Sequence, residues 1–380
     1  MSFEDWPLEE IISCLSFERW PPDELVSCLS YRPDHMLKGM IPLSVSPKPS
    51  AIQRDPASSS IGLLGTLPHE LLHFVFNMLD FQSLSRVSRV SLQGRAVVSS
   101  LPVYQSLQEH VPDALAVLNR TKLIGLHSVA TLYATLKSEK CIACDHYGPF
   151  LFLLTCERCC YSCLAKNPSL WVMATALATK CFGLTSRQLM RLPLLHSIPG
   201  VYSIRCKISR QRSRRLVSVR AAKELAIMVH GSAKKMAHAV AARQIAFASP
   251  HELFVYKYLQ NASLNPQSQD PSTLPTYHNT PADDSCGMAS IPFPSLSTNN
   301  ALENGLWCRG CEFRDWGYTK LPYLLSYLYF VPVDRSPYWV FRELQDRARS
   351  RAEFLDHITH CRGRDELMFL IMKGESEQKD

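Results

Sequence analysis

The chain has 380 residues, 46% of them hydrophobic, which is enough for a sizeable core and for two or three ordinary domains. A formal net charge of +7 permits a nucleic-acid partner without arguing for one. No apolar run reaches the roughly 18 residues that a membrane span requires, and the opening MSFEDWPLEE has no secretion-signal pattern. A cytoplasmic or nuclear location with reduced thiols is therefore expected, with no membrane partner, and disulfides are disfavoured for the 14 cysteines.

In chain order, FEDWPLEEIISCLS (3–16) is followed directly by FERWPPDELVSCLS (17–30), a tandem repeat of period 14. Each unit has a Pro where a helix can open and then apolar residues at helical spacing. Residues 1–31 are predicted as a loosely ordered flank and 32–61 as a linker, because prolines and small polar residues offer too little apolar surface to offset the entropy of ordering. A three-helix block is predicted over 62–106, a helical and cysteine-bearing region over 107–262, a disordered polar insert over 263–300 and a final element over 301–372. Within 107–262, helices are expected over 111–138, 169–192, 221–232 and 233–261, and two strands around a basic turn over 200–220. The fold class that follows is mainly α with small β elements (α+β): an N-terminal three-helix bundle and a metal-stabilised, irregular C-terminal domain.

The stretch CIACDHYGPFLFLLTCERCCYSC (141–163) concentrates the chemistry. Cys141 and Cys144 form one CxxC pair, and two paired CxxC turns can aim four thiolates at one tetrahedral zinc. The gap of 15 residues from Cys144 to Cys160 suits such a site, and Cys160 and Cys163 stand where a helix can open, whose free N–H groups favour thiolates. Cys156 and Cys159 are the alternative second pair, after a shorter gap of 11 residues. A second constellation is Cys308 and Cys311 with His357 and Cys361, the last two spaced i, i+4 on an expected helix over 349–372; His360 is the alternative to His357. Two structural zinc ions are expected.

The block LPHELLHFVFNMLDFQSLSRVSRVSLQGRAVVSSLPVY (67–104) places Leu71, Leu72, Val75, Phe76 and Leu79 on one stripe of a first helix, with Phe74 and Met78 off it. Leu84, Val87 and Val90 continue a second helix and Val97 and Val98 a third, which Gly94 is expected to weaken by about 1 kcal/mol. The opening Leu67-Pro68-His69-Glu70-Leu71-Leu72, the later Leu84, Val87 and Val90, and Arg95 resemble the F-box family, although Ala96 replaces the family's usual aromatic residue. Together with the CxxC, FLFL, CERCC, SVRAAKE and WCRGCE motifs, residues 62–372 resemble F-box-like proteins of filamentous fungi. The resemblance implies a substrate receptor that does no chemistry. It would dock a Skp-type adaptor of a cullin ubiquitin ligase through Leu67, Pro68, Leu71, Leu72, Val75, Phe76, Leu79, Leu84 and Val87, and its C-terminal region would bind an unknown protein.

The basic run between Arg205 and Arg220 supplies a second reading. Arg210, Arg212, Arg214 and Arg215 could meet phosphates or an acidic partner, so a zinc-bearing nucleic-acid-binding protein is the alternative function. The chain has no nucleotide-binding glycine motif, no G-x-S-x-G and no H-E-x-x-H, and both expected metals would be fully ligated by protein, so a non-enzyme is expected.

Overall fold

The computed structural model describes residues 20–41, 61–204, 207–243, 246–266, 285–297, 299–320, 331–333 and 335–368. The first repeat unit, most of the linker, residues 267–284 of the insert, Arg205 and the last residues of the terminal helix lie outside the described residues. The described chain is mainly α-helical with several small sheets. It forms two compact units: residues 34–304, and the residues up to Pro33 together with those from Gly305 onward.

Of the expected flank, residues 20–31 are described. Pro22 begins helix α1 (Pro22–Leu29), whose fixed φ suits a helix start, and Leu29 is fully buried. Strand β1 (Ser30–Tyr31) follows it directly.

The larger unit opens with the helical block. Helix α2 (His69–Asn77) begins after Pro68, and α3 (Phe81–Val90) is capped by Asp80, whose side chain accepts from Ser83 N at 2.8 Å and Ser83 Oγ at 2.7 Å. Helix α4 (Leu92–Ser100) is capped by Ser91, which accepts from Gly94 N at 2.9 Å. Gly94 has a packing role that outweighs its low helix propensity: a Cβ there would meet the Val87 carbonyl oxygen at 2.7 Å, so glycine lets α4 lie against α3. Leu72, Phe76, Phe81, Leu84, Val97 and Val98 fill this small core.

The helix expected over 111–138 is two helices, α5 (Pro112–Arg120) and α6 (Val129–Lys137). They are separated where Lys122 takes a left-handed φ of 67° and Ser128 caps the next start, accepting from Thr131 N at 3.0 Å. Strand β2 (Phe150–Phe152) is then flanked antiparallel by β3 (Glu157–Cys159) on one side and by residues 290–292 on the other. Phe150, Leu151 and Phe152 are all buried, as expected of a strand covered on both faces. Helix α7 (Tyr161–Lys166) starts immediately after.

The continuous helix expected over 169–192 is also absent. Trp171 and Val172 favour extended chain, and strand β4 (Val172–Ala174) pairs with β5 (Arg215–Ser218), the central strand of a three-stranded sheet. Helix α8 (Thr175–Phe182) ends at Gly183, which adopts the left-handed conformation (φ 67°). Residues 200–202 and 208–210 form a hairpin, but β5 leaves that pair for the other sheet, so the basic turn joins two sheets rather than closing one hairpin. Helices α9 (Val219–His230), α10 (Ala233–Ala241) and α11 (Pro250–Asn261) complete a core that includes Trp171, Phe182, Val217, Leu225 and Leu259.

In the smaller unit, β6 (Trp307–Cys308) pairs antiparallel with β1, with Tyr31 opposite Trp307 and Ser30 opposite Cys308. Helices α12 (Arg309–Lys320), α13 (Pro337–Asp346) and α14 (Arg351–His360) follow. The terminal helix expected over 349–372 is interrupted: Cys361 is extended (ψ 103°), and helical conformation resumes at 362–368.

Candidate metal centres and docking face

In the larger unit Cys141 and Cys144 lie on the turn after α6, held by Cys141 N–H to His146 O (2.7 Å) and Asp145 N–H to Cys141 O (3.1 Å). Asp145 takes a left-handed φ of 60°, which closes that turn. Cys160 is the N-cap of α7 and Cys163 lies in its first turn, so Cys163 N–H points to the Cys160 sulfur at 3.4 Å. The four sulfurs lie within 4.8 Å of one another, and Cys144 Sγ is 3.6 Å from Cys160 Sγ. Four thiolates bound tetrahedrally at about 2.3 Å from one ion stand about 3.8 Å apart, whereas a disulfide requires about 2.05 Å. The arrangement fits a metal and not a cross-link.

Electrostatics give the same answer. Hydrogen bonds from Cys141, Cys160 and Cys163 hold the Cys144 thiol far below its ordinary range. The interactions with Cys141 and then Cys144 push Cys160 well above it, and Cys163 is pushed the same way. The Cys141 thiol is lowered as well, so anions are favoured at two of the four sulfurs and opposed at the other two, a balance that a divalent cation reverses.

Cys156 and Cys159 stay outside this centre. Cys156, at a left-handed φ of 56°, lies 3.6 Å from Thr135 Oγ1, and burial pushes its thiol up to about 11. Cys159 is fully buried opposite Phe150, its Sγ 3.8 Å from Phe150 O, and its thiol is also pushed up by burial.

The second centre is built from three places in the chain. Cys308 ends β6, Cys311 lies in the first turn of α12, His357 in the last turn of α14, and Cys361 just past its end. Cys311 Sγ is 3.3 Å from His357 Nε2 and 3.9 Å from Cys361 Sγ, and Cys308 Sγ is 3.7 Å from Cys361 Sγ. Cys311 and then Cys361 hydrogen-bond the Cys308 sulfur and lower its pKa to about 3, while Cys311 is pushed well up. The 45 residues between Cys311 and His357 include α13. His360 is exposed and belongs to no cluster among the described residues. Cys361 reaches the site from an extended residue at the helix end, which corrects the expected i, i+4 pair on one continuous helix.

Two supports escaped sequence reasoning. Gly310, between Cys308 and Cys311, and Gly363, just after Cys361, lie back to back: a Cβ on Gly363 would fall 2.0 Å from Gly310 O, and one on Gly310 2.3 Å from Arg364 N. The signal was a glycine beside the ligands in each half. Arg158, 2% exposed, donates to Thr135 O (2.8 Å), Gly148 O (2.7 Å), Phe293 O (3.1 Å) and Pro294 O. Its own carbonyl accepts from Ile142 N at 2.9 Å, so one residue ties α6, the first metal-binding turn and the segment after residue 290 together. Its only signal was a cation inside a cysteine-rich stretch.

Compared with known proteins, the chain matches no family model, no curated relative and no solved structure.

The residues expected to dock an adaptor divide between two faces of the helical block. Leu72, Phe76 and Leu84 are buried in its own core, and Leu79 and Val87 are half-buried. Leu67, Pro68, Leu71 and Val75 are exposed, and so are Phe74 (64%) and Met78 (61%). The expected single stripe is therefore corrected. Leu72 and Phe76, four residues apart, take the inner face, and at 100° per residue their neighbours Leu71 and Val75 turn outward to join Phe74 and Met78. In the basic run Arg212, Arg214 and Arg215 are exposed on the turn, Arg210 is half-buried, and Arg220 pairs with Glu157 at 3.0 Å. Among the described residues no helix is long and apolar enough to cross a membrane.

Proposed function

We propose that this chain is a zinc-stabilised substrate receptor of the F-box type, docking a Skp-type adaptor of a cullin ubiquitin ligase and binding a protein substrate elsewhere on its surface. The observation that carries the reading is the outward face of α2, where Leu67, Leu71, Phe74, Val75 and Met78 remain exposed although Leu72 and Phe76 already supply the block with a core. An apolar helix face of this kind suits burial against partner helices. Zinc is the ion of choice because seven of the eight donors are thiolates, which select soft or borderline ions over calcium and magnesium, and both donor sets are four-membered and closed. Metals so enclosed hold the fold, which is consistent with a receptor that does no chemistry. The test is co-purification with a Skp-type adaptor, expected for the wild type and lost in Leu71→Asp/Phe74→Asp. A folded, metal-loaded wild type that ignores the adaptor defeats the reading.

The exposed Arg212, Arg214 and Arg215 favour a second reading, a nucleic-acid-binding surface. Binding to DNA or RNA would then weaken steeply with salt and vanish when the three become Ala; a salt-independent response removes it.

A further inference from the structure

The groove that holds α1 and β1 in the smaller unit takes a segment whose sequence pattern also stands fourteen residues earlier in the chain. Its floor is Phe354, Ile358, Cys308 and Cys361, on which Leu29, Leu25 and Val26 pack. Its rim supplies Arg351, which pairs with Asp23, and Arg309, whose Nε donates to Ser30 O at 3.1 Å. Its edge is β6, which pairs with Ser30 and Tyr31 through the backbone.

The preceding repeat carries a residue of the same kind at each of these positions in the sequence. Fourteen residues earlier, Ile11, Ile12 and Leu15 correspond to Leu25, Val26 and Leu29, and Glu9 brings a carboxylate to the place of Asp23. Ser16 and Phe17 correspond to Ser30 and Tyr31. Contacts made through the backbone, namely the β6 ladder and the Ser30 carbonyl, are indifferent to the side chains that carry them. At the place of Tyr31, Phe17 offers a ring of the same shape without the hydroxyl. The substitutions between repeats fall where the groove asks for a class of side chain, apolar or acidic, rather than for one residue.

We propose that this groove reads an acidic amphipathic segment and accepts either repeat of its own chain, residues 8–17 exchanging with residues 22–31. A change of register by one repeat adds fourteen residues to the chain that runs from the groove to Asp34. The exchange is independent of any adaptor and of which metal fills the second centre.

The experiment uses the full-length chain carrying Arg351→Lys, which keeps the cation and lets a carbodiimide join it to whichever carboxylate it meets. Peptide mass spectrometry then reads the partner of the new amine. In the otherwise unchanged chain Asp23 is the main partner and Glu9 a minor one. Adding Val26→Asp and Leu29→Asp expels the second repeat, and the Glu9-to-Asp23 ratio is expected to rise at least tenfold with both metal ions retained by native mass spectrometry. Coupling that never reaches Glu9 overturns the proposal. So does loss of the second centre's ion in the Val26→Asp/Leu29→Asp chain, because the first repeat would then have failed to take the vacated place.

Discussion

Gly310 and Gly363 stand so close that neither tolerates a side chain, and they sit in the first turns of the helical segments beside Cys308, Cys311 and Cys361. Gly363→Ala must push backbone against backbone, since the clashing atom is the Gly310 carbonyl oxygen. The expected outcome is a folded larger unit with one ion instead of two, read by native mass spectrometry. Arg158 makes a different residue-scale prediction. Arg158→Met keeps most of the volume but strands several buried carbonyls, each worth about 1–3 kcal/mol when left unpaired. Stability of the larger unit is expected to fall by about 3 kcal/mol or more, and amides at 290–292 should lose hydrogen-exchange protection; Arg158→Lys, with fewer donors in a less fixed geometry, should recover only part. Neither glycine nor arginine could be weighed from sequence, because a clash or an orphaned carbonyl is a relation between residues far apart in the chain.

At the scale of single elements, α2 does two jobs on two faces. Leu72→Ala removes a fully packed side chain and is expected to cost about 2–5 kcal/mol, whereas Phe74→Ala, on the exposed face, should stay within about 0.5 kcal/mol. Denaturant midpoints of the two variants check this, and equal losses would show that the outer face is packed after all. Helix starts were read where a Pro stood before an apolar pattern, as at Pro22 and Pro68; the caps Asp80, Ser91 and Ser128 were not. Interruptions were not read either. The breaks at Lys122 and at Cys361 leave the apolar spacing on either side intact, and β4 looks helical by spacing because its partner β5 lies more than forty residues away.

At the scale of the whole molecule, each compact unit contains one centre, and each centre gathers ligands from separated elements. Binding free energy at such sites is folding free energy. Cys308→Ser is therefore expected to release one ion and open residues 20–33 and 305–368 to protease while 34–304 remains protected, and Cys160→Ser to expose the larger unit first. Limited proteolysis with mass mapping distinguishes the two patterns. A strong chelator should remove both protections.

The sequence by itself determined the chemistry of the ligands. Paired CxxC turns place two sulfurs on one side of the backbone through local geometry, and a repeat of period 14 is visible without any fold. Only the tertiary structure decided which cysteines meet, which face of α2 is left over, and that a segment near the start of the chain packs beside ligands near its end. The reason is range: dihedral preference and ligand spacing act over a few residues, while burial and strand pairing depend on what the rest of the chain brings alongside.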